Sequence, residues 1–167
     1  FKNDEIIKIA GNGGGAQALA AVKGHFDWLI NKKFKNDEII KIAGNGGGAK
    51  ALAAVKNHFN WLIDKNFKPD EIIKIAGNDG GAKALAAVKN HFDWLINKKF
   101  KLDEIIKIAG NNGGAKALAA VKDHFNWFID NNFNLDEIIK IAGNNGGAQA
   151  LAAVKGHFDW LIDKNFK

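Results

Sequence analysis

Residues Asp4 to Ala16 read DEIIKIAGNGGGA, and the same thirteen letters return from Asp37, Asp70, Asp103 and Asp136 with at most a single change, always at the tenth letter. That letter is Gly13, Gly46, Asp79, Asn112 and Asn145 in turn. The phrase belongs to a longer unit of 33 residues opened by Phe1, Phe34, Phe67, Phe100 and Phe133. Beyond it AxALAAVK, the pair His25-Phe26, Trp28 and Ile30 also recur unchanged. A fixed period of this length means stacked supersecondary units, each burying its apolar face against its neighbours. The chain is therefore expected to be one array, with units at 1–33, 34–66, 67–99, 100–132 and 133–165. Phe166 and Lys167 read as the opening of a sixth.

Within the quoted phrase Ile6, Ile9 and Ala10 follow helical spacing, with Ile7 beside them. Asp4 and Glu5 fall in the opening turn, where carboxylates complement the positive end of the helix dipole. Pro69 takes an early place in the third unit, where its missing N–H costs nothing. The short helix should stop at Gly11-Asn12, two residues comfortable with positive φ or with bonding to nearby backbone. Gly14-Gly15 then turn the chain into a longer helix. This one carries two apolar stripes, Leu19, Val22, Phe26, Leu29 and Ala18, Ala21, His25, Trp28, so it needs neighbours on more than one side. Each unit reads as helix–loop–helix, and no strand signal competes.

The altered letter then lies at the tip of the interhelical loop, and five such tips would line one edge of the stack. The three residue types suit base edges in a major groove. A carboxylate accepts from the cytosine amino group, which suits Asp79; an amide can approach purine N7, which suits Asn112 and Asn145. Glycine leaves room for a thymine methyl, which suits Gly13 and Gly46. Beside them, the second helix begins with free backbone N–H groups at Gly14, Gly47, Gly80, Gly113 and Gly146, a natural seat for phosphate. Just inside it come Gln17, Lys50, Lys83, Lys116 and Gln149, donors in every case. A phosphate contact beside a base contact is the division of labour of a DNA reader.

On these residues, IxKIAGN-x-GGAxAL as at Ile6 to Leu19, the unit resembles the repeat of transcription activator-like (TAL) effectors. It resembles more closely their TALE-like relatives, the Bat proteins of Burkholderia-type endosymbionts and marine metagenomic arrays. The resemblance implies an all-α fold, a right-handed superhelical solenoid of 33-residue helix–loop–helix repeats. It implies that Asn12, Asn45, Asn78, Asn111 and Asn144 brace their loops through backbone of the first helix without touching DNA. It also implies that the next residue reads one base of one strand, giving 5′-TTCGG-3′, with adenine open as the alternative at Asn112 and Asn145. The sequence departs from the family where a late proline kinks the second helix, since Asp27, Asn60, Asp93, Asn126 and Asp159 stand there.

Composition bounds the partners. The net charge of +6 is consistent with a polyanion such as double-stranded DNA, at about one excess charge per unit. Without cysteine there is no disulfide and no thiolate metal site. No apolar run approaches membrane-spanning length, and nothing in the chain resembles a secretory signal. An intracellular, monomeric chain is expected, a piece of a longer protein or a trimmed chain because no Met initiates it, with no membrane or small-molecule substrate. No cofactor, metal or catalytic residue is expected either. The recurring histidines (His25, His58, His91, His124, His157) lack a second ligand at helical spacing and read as packing residues, as do the tryptophans. The GNGGGA loop follows a helix and lacks a Lys-Ser/Thr sequel, so it is not a nucleotide cradle. Lys8 and Lys23 suit a solvated face and supplementary phosphate contacts equally. Two rivals to DNA reading stand at this point: a helical scaffold for a protein partner, and a synthetic consensus array without retained binding. A scaffold would scatter its variation over helix faces, whereas here one loop letter varies inside a constant block.

Overall fold

A computed structural model describes residues 1–164; the opening of the sixth unit lies outside the described residues. Those residues form ten helices and no strand. Five short ones, α1 (Asn3–Ala10), α3 (Asn36–Ala43), α5 (Pro69–Ala76), α7 (Leu102–Ala109) and α9 (Leu135–Ala142), alternate with five long ones. The long ones are α2 (Gly15–Asn31), α4 (Gly48–Asp64), α6 (Gly81–Asn97), α8 (Gly114–Asp130) and α10 (Gly147–Asp163). Each short helix packs on the long helix that follows it, and like helices of successive units pack on each other. The result is an α-solenoid of helix pairs.

Each short helix starts with the same anchor. The Glu5 carboxylate accepts from the Lys2 backbone N–H at 2.7 Å, and the bond recurs in every unit. In the fifth unit Asn134 replaces the lysine and also accepts from the Glu137 N–H at 2.9 Å, completing a capping box. Without a proline the long helices run unbroken for 17 residues.

The core is a continuous apolar column. Ile72, Ile75, Leu85, Val88 and Leu95 in the third unit are fully buried, and so are their counterparts in the second. Ile7 at the first unit is 67% exposed, whereas Ile73 is 5% exposed, because the first helix has no preceding unit against it. Burial in a solenoid belongs to the junction between units rather than to any one unit.

Those junctions are aromatic. Trp28 meets Phe59 edge-on, ring centroids 5.2 Å apart, and Phe34 lies within 6.3 Å of both. The triad recurs as Trp61–Phe67–Phe92, Trp94–Phe100–Phe125 and Trp127–Phe133–Phe158. Three junctions carry a lysine over the phenylalanine face (Lys32, Lys65, Lys98), each about 5.4 to 5.5 Å from the ring centre. In the fourth unit Asn131 stands there instead and donates to the Trp127 carbonyl at 2.8 Å. Phe128, where the other units have leucine, is fully buried and packs edge-on against Trp127 and Phe133.

Candidate nucleic-acid interface

The loop between a short and a long helix is the four residues Gly11 to Gly14 and their equivalents, of nearly fixed shape. Gly11 ends α1 in the right-handed region (φ −78°), its N–H bonded to the Ile7 carbonyl at 2.8 Å. Of the two options expected at Gly11-Asn12, Asn12 takes the bond to nearby backbone, donating to the Lys8 carbonyl, while the positive φ falls at Gly14 (79°) and its four equivalents (76° to 77°). Gly15 is required for a different reason. A Cβ there would come within 2.1 Å of the Ala10 carbonyl oxygen, so the two helices approach backbone to backbone. The Gly15 N–H closes the turn on the Asn12 carbonyl at 2.9 Å.

In the first four units the loop asparagine uses both side-chain N–H bonds, and in the fifth Asn144 uses one among the described residues. One goes to the carbonyl four residues back, Lys8, Lys41, Lys74, Lys107 and Lys140 in turn, at 2.6 to 2.7 Å. The second crosses to the next unit: Asn12 donates to Gly44, Asn45 to Gly77, Asn78 to Gly110 and Asn111 to Gly143. The sequence offered no sign of this second bond, because nothing in a one-dimensional repeat tells which loop lies beside which.

Gly13, Gly46, Asp79, Asn112 and Asn145 are all exposed at the loop tips. Successive tips adjoin: a Cβ at Gly46 would sit 3.6 Å from the Asp79 carboxylate. Around Gly13 there is open space within 4 Å.

Electrostatically the two helix types differ at their starts. Every short helix has two carboxylates in its first turn, while no long helix has an acidic residue or a side-chain cap there. The partial positive charge of the long-helix start, with the N–H groups of its first turn, is left uncompensated along one edge. Gln17, Lys50, Lys83, Lys116 and Gln149 are exposed in that same turn. The glutamines fold toward their own loop, with Gln149 Oε1 3.3 Å from where a Gly146 Cβ would be, whereas nothing lies within 4 Å of such a Cβ at Gly47, Gly80 or Gly113. Lys8 and Lys41 line an open groove of about 710 Å³ beside Asn12, Asn45 and the loop glycines.

The histidines sit half-buried in the first four units, with Nδ1 of His25, His58, His91 and His124 buried and without a hydrogen-bond partner. Burial holds the His58 and His91 pKa below the ordinary imidazole value, with the charges of Lys89 and Lys122 adding to the effect and Asp123 opposing it at His91. At these two histidines the unpartnered Nδ1 acts the same way, since a proton gained there would find no acceptor. Among the described residues no group of three or more His, Asp or Glu is arranged to hold a metal, and no helix is long and apolar enough to cross a membrane.

A stack of near-identical helix pairs, with one variable exposed residue per loop, defines a tandem-repeat α-solenoid. The sequence model of the TAL effector repeat matches residues 46–78, from the variable letter of the second unit to the loop asparagine of the third. The matched span is one full period of a unit that recurs along the chain, so the repeat unit is similar to the TAL effector repeat. Comparison with curated proteins gave no significant match.

Proposed function

We propose that the array binds double-stranded DNA along its loop edge, one base per repeat, with Gly13, Gly46, Asp79, Asn112 and Asn145 reading 5′-TTCGG-3′ in the major groove. The observation that carries this reading is the row itself: five exposed residues of differing chemistry on one repeated loop backbone, in a repeat of a DNA-binding family. Asp79 accepts from the cytosine amino group, Asn112 and Asn145 donate to guanine N7, and the two glycines admit thymine methyls. Each polar pair contributes about 1–3 kcal/mol of discrimination, and the glycines less.

The bare starts of the long helices support the phosphate half of the proposal. The backbone around Gly14, Gly47, Gly80, Gly113 and Gly146, with Gln17, Lys50, Lys83, Lys116 and Gln149, holds the backbone of the read strand. Neutralising about five phosphates gives a slope of log K against log salt of roughly −4 to −5. The asparagines at 12, 45, 78, 111 and 144 fix the loops, which their hydrogen bonds to Lys8, Lys41, Lys74, Lys107 and Lys140 support. One chain acts as a monomer on one duplex.

Selection of bound sites from random duplex DNA tests the reading, with TTCGG as the expected core. Asp79→Asn should move the third letter from C to G and leave the other four unchanged. Equal recovery of all four bases at the third position by both proteins would refute the code.

A further inference from the structure

We infer that each loop asparagine is a positioning residue for the loop one repeat downstream as well as for its own. The mechanism rests on hydrogen bonds alone; the consequence for base choice rests on the DNA-reading proposal. A primary amide has two N–H donors, and here both are used: Asn45 donates to Lys41 at 2.6 Å and to Gly77 at 2.5 Å, and Asn111 to Lys107 at 2.7 Å and to Gly143 at 2.6 Å. Gly77 and Gly143 are buried, so each carbonyl held by this bond has little recourse to water if the donor is lost. Gly77 stands two residues before Asp79, and Gly143 two before Asn145. The bond therefore fixes the backbone from which the next variable residue projects.

The staple has a direction. It runs from each unit to the following one, so Gly11 receives none, and Asn144 keeps only its bond to Lys140 among the described residues. A change at one asparagine should loosen its own loop and the following loop, and leave the preceding loop untouched. In terms of the read sequence, base preference at a position depends on the asparagine of the repeat before it.

The test compares Asn45→Ala with Asn144→Ala in the full chain. In the first, amide exchange at Gly81, whose N–H closes the third loop on the Asn78 carbonyl at 2.9 Å, should accelerate about fivefold, with Gly48 also faster and Gly15 and Gly114 unchanged. In the second, only Gly147 should respond. Asn45→Ser, whose single hydroxyl hydrogen serves one carbonyl at most, gives a milder variant should the alanine unfold the array. Binding competition with third-letter variants of TTCGG should show discrimination against non-C bases falling about fivefold in Asn45→Ala, more than at the first, fourth and fifth letters. An unchanged Gly81, or acceleration spread evenly over all five loops, overturns the inference. If the unaltered array shows no base preference while Gly81 still responds, the staple stands and the DNA reading fails.

Discussion

At the start of each long helix the chain turns through a left-handed glycine; at the end of α2, α4, α6 and α8 it turns through a left-handed lysine or asparagine. The first turn is Gly14 and its equivalents, φ 76° to 79°. The second is Lys33, Asn66, Lys99 and Asn132, φ 67° to 73°. A side chain in this region costs about 1–2 kcal/mol. At the helix end the cost is offset by two hydrogen bonds and a buried ring: Lys33 N–H to Ile30, Phe34 N–H to Leu29, and Phe34 itself in the core. At the helix start no buried side chain accompanies the turn, and the next residue meets the preceding helix backbone to backbone, so only glycines serve. One edge is thus held by aromatic packing between repeats. The other is built of glycine and asparagine, which keeps the atoms around each variable residue small and leaves that residue projecting into solvent.

The largest expected break strikes the aromatic edge. Phe67→Ala removes a fully buried ring that packs against Trp61 and Phe92, and should lower stability by about 3–5 kcal/mol in urea unfolding followed by tryptophan fluorescence. A smaller loss follows at the loop edge. Gly81→Ala drives a Cβ to 2.2 Å from the Ala76 carbonyl oxygen, and the helices must part, at about 2–3 kcal/mol by the same measurement. The smallest effect has the opposite sign. Lys99→Gly relieves left-handed strain and should raise stability by up to about 1 kcal/mol, with Asn66→Gly gaining less because asparagine tolerates this region better. Equal gains at both sites would mean that the strain is absorbed by the helix-end bonds and that the two edges differ in packing alone.

The helix pair was legible because its punctuation is local: Asp-Glu at one start, Gly-Asn at one end, Gly-Gly at the next start, and apolar residues at helical spacing between. The variable letter was legible because everything around it repeats. The division of labour between the two glycines was not. Gly14 answers to a dihedral angle and Gly15 to a distance from another helix, and only the second depends on where Ala10 lies in space. The left-handed lysines were also invisible, since lysine is a poor guide to positive φ. They are fixed there by Phe34 and its counterparts, which belong to the following repeat.

The sequence by itself determined the repeat, its two helices and the one loop residue free to vary, because period, capping and amphipathic spacing are properties of neighbouring residues along the chain. Only the tertiary structure decided which residues are interior, as Ile7 and Ile73 show, and which loop each asparagine holds. Both questions turn on the contact between one repeat and the next, and an identical unit carries no mark of what is stacked against it.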